Sequence, residues 1–261
     1  MMAPPMPSHD APFLSVVVPA FNEAAGIGAC LDRLRSALPS LVSSWEILVA
    51  DDGSSDDTRA AATAAADGDP RVRVLALPHR GKGSAVRAGL LAAAGQWRFM
   101  ADADLSTPPE DVRHFLDIIE SGARDEILIG SREAPGSVRI DEPHSRWVIG
   151  RAFNALVQLV ALPGIADTQC GFKLLSARAV AAICPHLRTD GFAFDVELLF
   201  LARRAGFSIR EVAVTWRCRQ DSRVAFGRGA SAFVEVLRIR GRAWRGGYAA
   251  LPSSALHPPR A

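Results

Sequence analysis

Through its first 130 residues the chain alternates between two hydrophobic periods, and this alternation restricts the fold more than any other feature. Leu14–Val18 is a short, apolar, β-branched run that ends at Pro19, the pattern of a buried strand. Between Glu23 and Leu38, the residues Ile27, Leu31, Leu34 and Leu38 recur at helical spacing. The pair of patterns then repeats: strand Ile47–Val49 and an Ala-rich helix Asp56–Ala66, strand Val72–Leu75 and helix Ser84–Ala94, strand Trp97–Ala101 and helix Pro109–Glu120, and a fifth strand Ile127–Ile129. Strands that are apolar throughout and separated by helices predict a parallel sheet covered on both faces. In such sheets ligands bind outside the carboxyl ends of the strands.

Beyond Arg132 the pattern loosens. Pro135–Pro143 reads as a polar loop, Trp147–Leu162 as an apolar-rich segment, Phe194–Arg204 as a helix and Ile209–Trp216 as a half-exposed strand. Ser231–Trp244 reads as an amphipathic helix, and no internal repeat is present. The expected division is one catalytic domain over 13–225, a basic amphipathic extension over 226–250, and Pro-rich disordered ends at 1–12 and 251–261. Met1–Pro12 lacks the basic and apolar regions of a signal peptide, and no apolar run reaches the ~18 residues that span a bilayer. Cys30, Cys170, Cys184 and Cys218 form neither a CxxC pair nor a zinc spacing with histidine. A cytoplasmic protein is expected.

With 49% hydrophobic and 22% charged residues the chain has globular composition, and its net charge of +2 is too balanced for a general nucleic-acid binder. All but two of its 30 basic side chains are arginine. The two lysines, Lys82 and Lys173, therefore invite attention by position.

Four successive strand ends carry the chemistry. They read Pro19-Ala20-Phe21-Asn22-Glu23, Asp51-Asp52-Gly53-Ser54-Ser55-Asp56, Arg80-Gly81-Lys82-Gly83 and Asp102-Ala103-Asp104. Each string alone has an ordinary explanation, since Asp-Asp-Gly-Ser is a common turn and helix-cap sequence. Together, in register on one sheet edge, they suggest a nucleoside diphosphate site. Asp102 and Asp104 offer hard oxygen ligands for Mg²⁺ or Mn²⁺, and Lys82 between glycines suits a close-lying anion. Asp51 or Asp52, set apart from that pair, suits a base or ribose. The P-loop and the dinucleotide fingerprint are both absent.

These strings, in this order, resemble the family 2 inverting glycosyltransferases of GT-A fold. The resemblance continues through Gly130-Ser131-Arg132, the string Asp167-Thr168-Gln169-Cys170-Gly171-Phe172-Lys173, and Phe194-Asp195-Val196-Glu197-Leu198, which look like the dolichyl-phosphate β-glucosyltransferase branch, with the mannosyltransferases as cousins. It covers roughly residues 14–225. It implies an α/β fold with a mostly parallel central sheet flanked by helices. It also implies transfer of a hexose from UDP-glucose, or second GDP-mannose, to a polyprenyl phosphate, or in the alternative to a hydroxyl of a soluble acceptor; the rival from another class is a non-catalytic sugar-nucleotide binding module, against which the intact Asp102-Ala103-Asp104 argues. By the resemblance Pro19, Phe21, Glu23, Asp51, Asp52, Lys82 and Ala103 line the nucleotide-sugar pocket. Asp102 and Asp104 meet Mg²⁺ or Mn²⁺, and Arg132 contacts phosphates on the acceptor side. The chain departs from the mannosyltransferases at Ser106, where they tend to carry Gln.

A phosphate acceptor is already ionised at pH 7 and needs no general base. It needs cations, for which Arg132, Arg146, Arg151 and Lys173 are the candidates. A hydroxyl acceptor needs a base, for which Asp195 or Glu197 is placed among apolar neighbours that raise a carboxyl pKa; Asp195 reads equally well as a helix N-terminal acid. Eight arginines between Arg217 and Arg245 stand against Asp221 and Glu235. With Phe233, Leu237 and Trp244 nearby, they read either as a solvated helix face or as a peripheral contact with the anionic inner face of a membrane.

Overall fold

The computed structural model describes residues 11–218 and 226–251, without the side chains of Arg146 and residues 226–231. The ends expected to be disordered lie outside the described residues, apart from residues 11, 12 and 251. In chain order the elements are β1 (Leu14–Ala20), α1 (Ile27–Leu41), β2 (Trp45–Asp51), α2 (Thr58–Ala66), β3 (Val72–Ala76), α3 (Lys82–Ala92), β4 (Trp97–Met100) and α4 (Val112–Glu120). There follow β5 (Ile127–Ser131), β6 (Val138–Ile140), α5 (His144–Val160), β7 (Lys173–Ser176), α6 (Ala177–Ile183), α7 (Phe194–Arg204), β8 (Ile209–Ala213), β9 (Thr215–Arg217) and α8 (Phe226–Trp244).

Seven strands form one sheet in the order β3-β2-β1-β4-β7-β5-β8. Alternate residues of a strand point to opposite faces, and both faces are buried here. Val16 and Val18 enter one core with α1, α2 and α4, while Val17 enters the other with α3, α5, α6, α7 and α8. This explains why the central strands read as continuous apolar runs. On the second face Val236 and Ile239 of α8, and Tyr248 beyond it, belong to the same buried cluster as Phe194 and Leu198.

Two expectations need correction. The sheet is only partly parallel, because β7 runs antiparallel to both neighbours, β4 and β5. Four residues, Lys173-Leu174-Leu175-Ser176, are too few to show a strand period, so the sequence pattern passed over them. The polar loop after Arg132 contains β6, which pairs in parallel with β9, so Ile209–Trp216 is not one strand but β8 followed by β9.

The reversal of β7 builds the site. Lys173 at its start pairs with Met100 at the end of β4 and with Ile129 of β5. The amino end of β7 therefore lies at the same edge as the carboxyl ends of the other strands.

Candidate active site

The first two strand-end loops are stitched together by their own polar groups. Asn22 adopts a left-handed conformation (φ 56°), which asparagine tolerates better than most residues, and its Oδ1 accepts the Ser55 N–H at 2.8 Å. Its own N–H donates to Ser54 Oγ at 2.9 Å, and the Glu23 N–H donates to Thr58 Oγ1 at 2.7 Å. Ser54, Ser55 and Thr58 thus have structural duties between the two loops, as does Asp56, which accepts the Ala24 and Thr58 N–H groups, although Asp57, the N-cap of α2, makes no side-chain cap bond.

The adjacent acids Asp51 and Asp52 are both buried but differ in use. Asp52 is fully engaged: its carboxylate accepts the N–H groups of Arg80 (3.0 Å) and Gly81 (2.9 Å) and lies 2.8 Å from His79 Nδ1. It therefore shapes the loop that leads to Lys82. Asp51 Oδ1 accepts from Ser54, while Oδ2 has no hydrogen-bond partner, with Arg59 Nε at 3.5 Å. Phe21 stacks on His79 with ring centroids 4.2 Å apart. His79 was not singled out from the sequence, and its only signal is its place in the loop after β3.

Three ion pairs, contributed by different elements, form the centre. Lys82 Nζ, at the start of α3, lies 2.7 Å from Asp102 Oδ1, and this pair is partly open to solvent at 26% and 35%. Burial works against the Lys82 ammonium, but Asp102, Asp195 and Asp104 overcome it and hold the pKa above the ordinary lysine value. Burial likewise opposes the Asp102 carboxylate, while Lys82, Lys173 and Arg132 bring its pKa below the ordinary value. Beneath it, Lys173 Nζ donates to Asp195 Oδ1 and to the Cys170 carbonyl, each at 2.5 Å, and this second pair is closed at 0% and 5% exposure. Arg132 grips Asp167 with two bonds, Nε to Oδ2 at 2.7 Å and Nη2 to Oδ1 at 2.9 Å, and lies over the Trp216 ring at 5.1 Å. Burial opposes the Asp167 charge, yet Arg132 holds its pKa at about 2.

Other expected residues are placed differently. Lys173, expected at an acceptor phosphate, is instead fully buried under the Asp102 layer. Arg151 is exposed, lies 3.5 Å from Glu133 Oε2 and contacts the Trp147 ring. The Arg146 side chain lies outside the described residues. Glu197, one of two candidate bases, faces away from this centre; its carboxylate accepts the N–H groups of Arg188 and Thr189 and bonds Arg242 and Tyr248. Arg242, expected on an outward basic face, is thereby turned inward. Pro19, Phe21, Glu23 and Ala103 lie at the edge around these pairs, and Ala103 packs against the α1–α4 core. None of the four cysteines is in a disulfide, and all are buried.

Among the described residues no cluster of three or more His, Cys, Asp and Glu side chains could hold a metal ion. Asp102 and Asp104 nevertheless fit one. Mg²⁺ is commonly held by one or two carboxylates with phosphate oxygens completing the shell. Asp104 Oδ1 accepts the Ser106 N–H at 2.9 Å, which restrains that carboxylate.

The fold is GT-A-like, an α/β sheet with the candidate site along one edge. Residues 15–184 match the family described as glycosyl transferase family 2, so the chain belongs to that family and is a glycosyltransferase, moving a hexose from a nucleotide sugar. Dolichyl-phosphate β-glucosyltransferases are similar along most of both chains. The Dictyostelium discoideum protein is 35% identical over 88% of this chain and 74% of its own length. The Homo sapiens protein is 35% identical over 89% and 77%. In fold the chain is similar to glucosyl-3-phosphoglycerate synthase from Mycobacterium tuberculosis, solved with Mn²⁺ and UDP-glucose, with a TM-score of 0.67, 22% identity, and 88% and 79% of the two chains covered.

Proposed function

We propose that the protein transfers glucose from UDP-glucose, with GDP-mannose as the second donor candidate, to the phosphate of a polyprenyl phosphate, with inversion. The names of the similar sequences support this acceptor, and the bound UDP-glucose of the similar structure supports the donor. One observation of the site carries it: the Asp195 carboxylate is held in the closed pair with Lys173 rather than offered as a base. A phosphate monoester needs none.

In this reading Asp51 takes the nucleoside, since Asp52 is already committed to its loop, with Pro19, Phe21 and Glu23 beside it. Lys82 and Arg132 hold the diphosphate, with Ala103 at the sugar. Asp102 and Asp104 hold Mg²⁺ or Mn²⁺, which when bound neutralises charge on the departing diphosphate. Arg132 and the exposed Arg151 draw in the acceptor phosphate, with Arg146 as a further candidate by its place on α5, while Lys173 acts from beneath by fixing Asp195.

The outward face of α8 would rest on an anionic bilayer. Val234, Leu237 and Trp244 are exposed there beside Arg238 and Arg245, while Glu235, the one acid of the helix, bonds inward to the Ala193 N–H. Among the described residues no helix is long and apolar enough to cross a membrane.

A second reading, a hydroxyl acceptor activated by Asp195, is favoured by the burial that pushes this carboxyl pKa up despite Lys173 and Lys82. The two separate in one experiment. UDP release from UDP-glucose with Mn²⁺ is measured against polyprenyl phosphate, the uncharged polyprenol and a soluble hydroxy acid, for wild type and Asp195→Asn. Transfer to polyprenyl phosphate that largely survives Asp195→Asn is expected. Preference for a hydroxyl acceptor, with the ~10²–10⁴-fold loss of a general base in the variant, refutes it.

A further inference from the structure

We infer that Glu235 of α8 is a positioning residue for the reaction centre, acting through the segment 188–193. The inference rests on the reading of Lys82 as a reaction-centre group, with the Asp195–Lys173 pair beneath it, and adds a residue that lies on no strand end.

The segment is fastened on two sides. On one side it sits on the amino end of α3, the turn that carries Lys82. The Asp190 carbonyl accepts the N–H groups of Gly83 (2.8 Å) and Ser84 (3.4 Å), which are otherwise unpartnered first-turn donors. The Asp190 carboxylate pairs with Arg80 at 2.8 Å. On the other side two carboxylates hold it. Glu197 Oε2 accepts the N–H groups of Arg188 (2.8 Å) and Thr189 (2.6 Å), and Glu235 Oε2 accepts that of Ala193 (2.9 Å). Bonds from backbone N–H to an ionised carboxylate are the strong, directional kind. Glu197 is itself gripped by Arg242 and Tyr248, so the C-terminal helix reaches the segment twice.

Little slack remains between these anchors. A methyl group on Gly83 would lie 2.5 Å from the Thr189 carbonyl oxygen and 3.0 Å from that of Gly191. One on Gly191 would lie 2.9 Å from both Cδ and Oε2 of Glu235. Van der Waals contact between carbons needs ~3.5 Å, so backbone at both places is seated directly on its neighbour. Asp195 follows Ala193 by two residues and pairs with Lys173. The placement of α8 is thereby passed to Lys82 at one end of the segment and to Asp195 at the other. A displacement of about 1 Å at a reacting centre can cost ~10²-fold in rate.

The test uses the full chain and the variants Glu235→Ala, Glu235→Gln and Lys82→Gln, with a double variant of the first and third. Amide exchange at Gly83 and Ser84 is read by NMR, and kcat and KM by UDP release from UDP-glucose with Mn²⁺ and polyprenyl phosphate. In Glu235→Ala, exchange at these two amides should quicken and kcat should fall about tenfold or more in fully folded protein. Glu235→Gln, whose amide oxygen still accepts the Ala193 N–H, should restore most of it. The double variant should lose less than the product of the single losses, the mark of residues acting on one centre. Gly191→Ala crowds the Glu235 carboxylate from the side of the segment, disturbing the same contact, and carries the same expectations should Glu235→Ala not fold. Unchanged exchange, kcat within twofold of wild type, or losses that multiply would overturn the inference. A Lys82→Gln variant as active as wild type, or a wild type that releases no UDP, would instead fell the reading of the site, while exchange still decides the coupling.

Discussion

Gly171→Ala should disable the enzyme without unfolding it. Gly171 sits against the Asp102 carboxylate: an added Cβ would lie 2.5 Å from Asp102 Cγ and 2.7 Å from Oδ1. Gly171 is not among the residues with positive φ, so alanine meets no backbone strain there and the cost is the contact alone. Carbon atoms in contact settle at ~3.5 Å, so Asp102 must retreat by about 1 Å. Such a shift disturbs the contact of Oδ1 with Lys82, 2.7 Å distant at present, and the position of one of the two carboxylates proposed to hold the metal. An error of this size at a reacting centre costs ~10²-fold, or about 2.7 kcal/mol of activation free energy. The Asp102 side chain is about a third exposed and so has room to move, which keeps the stability loss small. The assay is UDP release under steady-state conditions alongside a thermal melt. Activity within threefold of wild type would refute the reasoning, and so would loss of activity only in step with unfolding.

Three further outcomes are expected. Asp167→Asn should destabilise the fold by about 2–3 kcal/mol at pH 7, because a pKa held at about 2 instead of 3.8 stores roughly that much. The pKa is depressed, so this stability is present above pH ~4 and lost as pH falls towards 2; urea melts showing the same deficit at pH 3 as at pH 7 would contradict it. Asp104→Ala, or excess EDTA on the wild type, should abolish transfer while the melting temperature of the variant stays within a few degrees; undiminished turnover in EDTA would remove the metal. The protein should sediment with anionic but not neutral liposomes, less so in high salt or after replacement of Arg238 and Arg245 by Gln, since each basic residue near anionic lipid contributes ~1 kcal/mol; equal binding to both vesicle types would leave α8 as a solvated helix.

The first half of the fold was legible because both of its signals are local. β1 to β5 are apolar runs and α1 to α4 carry 3.6-residue periods, so each could be placed from a dozen neighbouring residues. Pairing is not local. Nothing in Ile127–Ile129 says that it lies two strands from β4, because what separates them comes from residues 173–176. The same limit shows in the acids. Asp51 and Asp52 are adjacent and chemically identical, and only the path of the loop after β3 makes one a loop anchor and leaves the other an unbonded oxygen. Asp195 and Glu197 lie two residues apart on α7, yet one joins the centre and the other braces α8 from the far side. Arg242 was legible as basic and amphipathic, but its pairing with a buried acid depends on where α7 lies.

The candidate site lies at the edge where six strands have their carboxyl ends, but those ends alone do not complete it. Six strands run one way and deliver Asp51, Asp102 and Arg132 at their carboxyl ends or just beyond. All of those groups are separated in sequence by whole strand–helix units. The reversed strand adds what they lack: its amino end brings Gly171 against Asp102 and Lys173 beneath it, within reach of Asp195. A parallel strand in that slot would have delivered Ser176 to the same edge and sent Lys173 to the opposite one. The string Asp167–Lys173 must therefore precede its strand, whereas the earlier motifs follow theirs. Antiparallel insertion is thus what places the Lys173–Asp195 ion pair beneath Asp102, giving the acids of this edge a buried cation below them.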